Sequence, residues 1–253
     1  MPQQPTDLTY PGGLTRLCVE AALAAGAELS LGEQQSHFLA NVLRAKAGDR
    51  VRLFNGRDGE WAARVTKVGK RTVTLALEAQ TRAQEGVPDL WLLLAPIKKT
   101  PLDYIVQKAT ELGVARIEPV ITRRTIVDRV NLERMRANAI EAAEQSGRLT
   151  VPEIAEPQEL AKRLANWPGG RKLMFCDEAR DTPPAAAALA KEAQSSLWAV
   201  LTGPEGGFDA AEREMIRGLS FTVPVSLGPR IMRADTAALA ALAVWQSTQG
   251  DWK

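Results

Sequence analysis

The spacing of apolar residues changes character near residue 88. Between Leu31 and about Leu77, apolar and polar positions alternate over three short stretches: Val51-Arg52-Leu53-Phe54, Trp61-Ala62-Ala63-Arg64-Val65 and Thr72-Val73-Thr74-Leu75-Ala76-Leu77. The first two are joined by Asn55-Gly56-Arg57-Asp58-Gly59. Two-residue alternation broken by Gly and Asp-Gly predicts antiparallel strands. Within the same region Phe38, Leu39, Val42 and Leu43 recur at helical spacing, so a short helix is expected over 36–46. The polar stretch Ala79–Pro88 reads as a linker.

Beyond Pro88 the pattern becomes strand and helix in turn. Leu90–Ala95 is an unbroken apolar run, as expected of a strand buried on both faces. A helix should follow, with Thr100 as N-cap, Pro101 at its first position and Asp103 reaching back. Leu102, Ile105, Val106, Ala109 and Leu112 would line its buried face, and Gly113 would end it. Next come a strand over Val114–Ile121, a helix from about Asn131 to Ser146 stopped by Gly147, and a helix over 157–167. Strand Lys172–Cys176, helix 185–194, strand Leu197–Leu201, helix 210–219, strand Thr222–Leu227 and helix 235–248 complete the chain. Such alternation implies an α/β fold, a mostly parallel sheet with helices on both faces, behind a small β domain. The expected division is 1–83 and 84–253.

The chain has 253 residues, 45% of them hydrophobic and 25% charged, enough apolar material for a real core. No run reaches 18 apolar residues, so no transmembrane helix and no membrane partner are expected. Met1-Pro2-Gln3-Gln4-Pro5 lacks the basic-then-apolar pattern of a secretory leader. Cys18 and Cys176 form no C-x-x-C pair, which argues against disulfides and fits a reducing cytoplasm.

The lone histidine, His37, narrows the chemistry further. Zinc sites built on two or three histidines cannot form within one chain, and no metal is expected. A Ser-His-Asp triad would have to use His37, which has no nucleophile elbow near it. The chemistry must therefore run on Arg, Lys, Asp, Glu, backbone amides or a cofactor.

Charge is unevenly spread. Residues 44–71 hold 9 basic and 3 acidic side chains, inside a chain whose net charge is only +2. A patch of this kind attracts polyanions, although a solvated basic face reads equally well from charge alone.

Ligands of open α/β sheets bind beyond the carboxyl ends of strands. Two such ends carry unusual loops. One is Leu201-Thr202-Gly203-Pro204-Glu205-Gly206-Gly207-Phe208-Asp209, where three glycines let the main chain approach a ligand. Asp209 and Glu212 then have capping-box spacing. The other is Ser226-Leu227-Gly228-Pro229-Arg230-Ile231-Met232-Arg233-Ala234-Asp235-Thr236, which sets two arginines and a carboxylate before a long Ala/Leu helix. Either loop alone reads as a tight capped turn; both together favour a site. No G-x-G and no G-x-x-x-x-G-K-[ST] occurs, so the dinucleotide fingerprint and the P-loop are excluded.

These loops, together with His37-Phe38-Leu39, Val42-Leu43-Arg44, Gly48-Asp49, Gln107–Gly113 and Glu141–Arg148, resemble the RsmE family of bacterial 16S rRNA (uracil-N3)-methyltransferases, of the SPOUT class. The matching strings fall in the family's order over nearly the whole chain. The resemblance implies an N-terminal PUA-like β domain for RNA and a C-terminal α/β domain with a deep trefoil knot. It also implies S-adenosylmethionine in the knot, a homodimer, and 16S rRNA or the small ribosomal subunit as partner. Asp235 stands where the family usually has Glu, and Pro101 where a second Lys is often found.

On this resemblance the cofactor would lie against Leu201, Thr202, Gly203, Pro204, Glu205, Gly206, Gly207, Ser226, Leu227, Gly228, Ile231, Met232, Arg233, Thr236 and Ala237. Arg233, with Arg230 next in line, would steady negative charge on an ionising base, and Asp235 or Glu205 would take the proton or orient the arginine. A structural ion pair is the competing reading of Arg233 and Asp235. RNA contacts are expected from Arg16, Arg44, Lys46, Arg50, Arg52, Lys98, Lys99, Arg123 and Arg124. His37 either packs as a structural histidine or joins that set. Ribose 2′-O-methylation and a non-catalytic ribosome-assembly role are the alternative functions.

Overall fold

The computed structural model describes residues 13–127, 129–179, 181–195 and 197–252. They form two compact units. One holds the described residues through Gly86 together with Ala143–Val151; the other holds Val87–Ala142 and the chain from Pro152 onward. The expectation of two continuous pieces is thus corrected, because residues 143–151 pack with the first.

The first unit is a five-stranded sheet made of β1 (Gly13–Cys18), β2 (Glu28–Ser30), β3 (Arg50–Phe54), β4 (Glu60–Val68) and β5 (Val73–Arg82). Its order is β1-β3-β4-β5-β2, with β1 parallel to β3 and the other pairs antiparallel. Alternate residues Val51, Leu53, Ala63, Val65, Val73 and Leu75 point into one core with Leu17, Leu31 and Leu39. β5 runs further than the alternation suggested: Glu60 is in register with Arg82, and the Thr81 hydroxyl donates to Glu60 O. The linker therefore begins after Arg82.

The expected helix over 36–46 is shifted. Helix α1 spans Glu33–His37 and continues as a π-helical turn over Phe38–Val42. It stops there because Arg44 is left-handed (φ 55°) and Ala45 N–H takes the Leu39 carbonyl.

Residues 143–151 complete this unit. Ala143 and Leu149 pack on Phe54, with Cys18 and Val151 against them. The Arg16 guanidinium donates to the carbonyls of Ala143 (2.8 Å), Glu144 (2.8 Å) and Arg148 (3.0 Å), and its Nε donates to Glu60 at 2.7 Å. A cation among the last carbonyls of a helix answers groups the helix itself cannot satisfy.

The second unit is built on β6 (Leu90–Leu94), β7 (Arg116–Ile121), β8 (Glu153–Ile154), β9 (Gln158–Glu159), β10 (Lys172–Cys176), β11 (Trp198–Thr202) and β12 (Thr222–Val225). The order is β12-β10-β11-β6-β7-β8, with β9 on β7, and every pairing is parallel. β11 is buried along its whole length, as a strand covered on both faces must be. The helices are α2 (Lys99–Glu111), α3 (Leu132–Ser146), α4 (Leu160–Ala165), α5 (Ala185–Leu189), α6 (Ala210–Arg217) and α7 (Ala234–Thr248).

Four local expectations need correcting. Helix α2 starts one residue before Thr100, with Lys98 as an N-cap that makes no side-chain bond. Pro101 is still tolerated, since first-turn N–H groups have no helical acceptor. Asp103 accepts from Arg134 and Asn138 instead of reaching back. Helix α4 begins only at Leu160, because Gln158 and Glu159 pair with β7, and α5 ends at Leu189 in a turn well short of 194.

Candidate functional site

Because the strands are parallel, β10, β11 and β12 deliver their carboxyl ends to one side of the sheet. There a cavity of about 370 Å³ opens, within the size range of small-molecule sites. Cys176, Asp177 and Glu178 line it after β10, Thr202 to Gly207 after β11, and Ser226, Leu227, Gly228, Arg230, Ile231 and Met232 after β12. Ala234 and Ala237 of α7, Arg213 of α6 and Arg124 from the loop after β7 complete the lining. The two glycine-bearing loops singled out in the sequence therefore face the same space.

Two of the three glycines in the first loop have their own reason. A Cβ on Gly203 would lie 2.8 Å from Cε2 of Phe208. That ring is buried and meets Phe175 edge-on, with centroids 5.0 Å apart, so it has nowhere to go. Gly207 has φ +66°, and a Cβ there would come within 2.5 Å of Glu178 Oε1. At Gly228 an added Cβ meets no protein atom within 4 Å; its φ of +116° calls for glycine. Asp209 and Glu212 form the expected capping box at the start of α6.

Electrostatics at the site come from a network the sequence reading missed. Asp177 is buried, with Arg213 Nε 3.2 Å from one oxygen and Arg217 Nη2 2.6 Å from the other. Glu178 Oε1 accepts from Arg213 at 2.6 Å and from the Phe208 amide at 3.0 Å. Asp181 and Asp177 hold the Arg217 guanidinium well above its ordinary value, against a smaller opposing effect of burial. Burial, with Asp177's charge behind it, pushes the Cys176 thiol up to about 12, so this thiol is a neutral part of the lining. Asp177 and Glu178 directly follow a predicted strand. Extending the strand-end rule to that third strand would have found them.

The structure sorts the expected site residues. Arg230 and Glu205 line the cavity. Arg233, Asp235 and Thr236 do not: the Arg233 side chain is 78% exposed and stands 3.9 Å from Asp235, while Asp235 accepts the Thr236 amide at 2.8 Å. The Leu201 side chain is buried in the core beside Phe175 and Phe208, which leaves its main chain as the part that could meet a ligand.

Among the expected RNA-facing cations, Arg16 is corrected outright: it is 8% exposed and engaged by Glu60 and three carbonyls, leaving no face for a phosphate. Arg52 is half-buried against Glu60. Arg50 is exposed but shares Glu78 with Arg64. Arg44, Lys46, Lys98 and Lys99 are exposed. His37 is exposed at the end of α1, so it is no packed structural histidine. Arg123 pairs with Asp209 at 2.9 Å, and its amide donates to Glu212. Arg124 turns to the cavity, and its Nη1 donates to Gly206 O at 2.8 Å.

Among the described residues no group of three or more His, Cys, Asp or Glu side chains is placed to hold a metal ion, and no helix is long and apolar enough to cross a membrane. The cavity combines bare main chain, carboxylates and guanidinium groups, with no activated nucleophile of its own. That inventory suits a ligand carrying both signs of charge and its own reactive bond.

The chain's likeness to known proteins agrees with that inventory. The RNA methyltransferase domain family matches residues 84–246, and the RNA methyltransferase PUA domain family matches residues 31–78. Ribosomal RNA small subunit methyltransferase E of Rickettsia conorii is 34% identical over 90% of this chain and 93% of its own length. The protein of that name from Synechocystis is 33% identical over 90% of this chain and 76% of its own. A crystal structure of ribosomal RNA small subunit methyltransferase E from Neisseria gonorrhoeae, bound to S-adenosyl methionine, superimposes with a TM-score of 0.85 at 29% identity, covering 95% of this chain and all of that one. With a PUA domain ahead of a parallel sheet whose glycine loops enclose a cavity, the chain belongs to the ribosomal RNA small subunit methyltransferase E family.

Proposed function

We propose that this protein transfers a methyl group from S-adenosylmethionine to N3 of a uridine in 16S rRNA, giving 3-methyluridine. The observation that carries the reading is the convergence of the β10, β11 and β12 strand ends on one cavity whose lining includes Gly203, Gly206, Gly207 and Gly228. The residues present fit the methyl donor. Main chain around Gly203, Gly206, Gly207 and Gly228 suits the edges of an adenine, Leu227, Ile231 and Met232 suit its faces, and Glu205, Arg124 and Arg230 can meet a zwitterionic tail. Bound there, S-adenosylmethionine would supply a methyl on a sulfonium, an electrophile that needs no nucleophile from the protein.

The chain's part is to orient the two reactants, exclude water and handle one proton and one charge. Loss of the N3 proton leaves negative charge on the flanking carbonyl oxygens of the base. Arg233, with Arg230 beside it on the same loop, is assigned to that charge, a contribution of about 3 kcal/mol by analogy with an oxyanion donor. Asp235 or Glu205 accepts the proton. The 3.9 Å separation of Arg233 and Asp235 supports this over a tight structural ion pair. Exposed Arg44, Lys46, Lys98 and Lys99 are assigned to phosphates, and a paired target base must be unstacked to reach the donor.

The reading carries with it a cytoplasmic location, a pair of chains as the working unit and a trefoil knot around the cavity. The knot is supported by the meeting of the loops after β11 and β12 although β10 stands between those strands in the sheet.

Nucleoside mass spectrometry of 16S rRNA from a deletion strain tests the product: 3-methyluridine should vanish and return on complementation. Loss of a ribose-methylated nucleoside instead would overturn the assignment of N3. Arg233→Ala should lower methyl transfer by roughly 10²- to 10³-fold with donor affinity largely kept. Near-normal turnover would remove Arg233 from its role.

A further inference from the structure

The loop over 203–207 brings three glycines to the cavity, so its shape must be set by contacts other than their side chains. Part of that is internal: the Gly207 amide donates to Pro204 O at 2.9 Å, and Phe208 anchors the loop's end in the core. Beyond Phe208 the start of α6 is fixed by the Asp209–Glu212 capping box, and Glu212 also accepts the Arg123 amide at 2.8 Å. One donor at the junction, the amide of Phe208, belongs to neither arrangement. It is taken by Glu178 Oε1 at 3.0 Å, from the end of the neighbouring strand β10.

Glu178 is itself held. Arg213, one turn into α6, donates to the same Oε1 at 2.6 Å and also lies beside buried Asp177. A Cβ on Gly207 would fall 2.5 Å from that oxygen. Glu178 therefore sits where only a glycine fits, and it lines the cavity as well.

We infer that Glu178 is a positioning residue for the methyl-donor site: its carboxylate oxygen holds the Phe208 amide and so keeps the 203–207 loop in the shape that receives the ligand. The inference rests on the reading of the cavity as the donor site. It predicts that the acceptor oxygen, and not the negative charge, is what the site needs. Gln keeps a carbonyl oxygen at that reach; Ala keeps nothing.

The test is calorimetry of full-length protein with S-adenosylmethionine and with S-adenosylhomocysteine, alongside turnover at saturating donor and a thermal melt. Glu178→Ala should weaken both ligands about tenfold or more, the cost of an unmet amide, while turnover at saturating donor stays within about threefold of the original protein. Glu178→Gln should recover affinity to within about threefold. Gly207→Ala should weaken binding alone, but should add less on top of Glu178→Ala than it costs by itself, because its collision partner is gone. Three outcomes overturn the inference: unchanged affinity in Glu178→Ala, equal loss in Glu178→Gln and Glu178→Ala, or a simple sum for the Gly207 pair. If Glu178→Ala fails to fold, a tenfold or greater loss of affinity in Glu178→Gln, which keeps the acceptor oxygen, still overturns the inference. Absence of donor binding by the original protein would instead refute the function itself.

Discussion

Replacing Gly203 by alanine isolates a single steric contact. Gly203 lies outside the left-handed region, so the added methyl brings no backbone strain. It does bring a Cβ to 2.8, 3.1 and 3.3 Å from three atoms of the Phe208 ring. The ring is 1% exposed, packed with Phe175, Leu201 and Ile216, and cannot step aside. Forcing one extra methyl into such a contact costs about 1–3 kcal/mol. That cost has two destinations. If the ring gives way, the melting temperature of the second unit falls, by roughly 2–4 °C per kcal/mol for a unit of this size. If the loop lifts away from the ring, it moves into the cavity, and donor affinity falls roughly 5- to 150-fold. Differential scanning calorimetry and titration calorimetry on the same preparation separate the two. A Gly203→Ala protein with the original melting temperature and the original donor affinity would show that the glycine is not there to make room for Phe208.

Other perturbations probe the two units separately. Burial alone would raise the Glu60 carboxyl, but hydrogen bonding and charge from Arg16, helped by Thr81 and Arg52, outweigh it and hold the group below its ordinary value. Its stabilising effect is therefore complete above the usual glutamate range and fades as pH falls through the depressed value. Glu60→Gln should flatten the acid side of a stability-versus-pH curve, and Glu60→Ala should cost about 3–5 kcal/mol by leaving Arg16 buried and unpaired; an unchanged acid limb would refute the pairing. Arg44→Ala and Lys46→Ala should each lower the slope of log affinity for RNA against log salt by about 1. Arg16→Ala should leave that slope alone and lower the melting temperature, and the opposite pattern would return Arg16 to the RNA face. Neither thiol should react with iodoacetamide at pH 8 in the folded protein, since burial pushes Cys18 up to about 11 and Cys176 to about 12; rapid native labelling of Cys176 would mean that the cavity lining opens.

What could be read from sequence follows the range of the interactions involved. The apolar run at Leu90–Leu94 announced a central strand because burial on both faces leaves no polar position to confuse the period. The glycine loops were legible because a Gly-rich turn at a strand end is a local signal, and Gly203 and Gly207 each do have a side chain pressed against them. Arg16 was misread for the opposite reason. Its surroundings in sequence look like an ordinary surface cation, and its carboxylate lies 44 residues away and its first carbonyl 127. The strand-end rule could have placed Glu178 at the site, but neither its bond to the Phe208 amide nor that of Arg124 to Gly206 is foretold by nearby sequence. Strand β1 escaped because an arginine occupies one of its buried positions, which spoils the expected alternation.

The embedding of residues 143–151 in the first unit has a consequence for how the protein is made. During synthesis the N-terminal sheet leaves the ribosome with its Arg16 guanidinium facing carbonyls that do not yet exist, and Phe54 with part of its packing missing. It can reach its final state only after residue 151 has emerged, by which time much of the second unit's sheet is still unsynthesised. A fragment cut at Gly86 would be denied those partners permanently, so the end of the first unit's longer segment is not a point at which the chain divides cleanly.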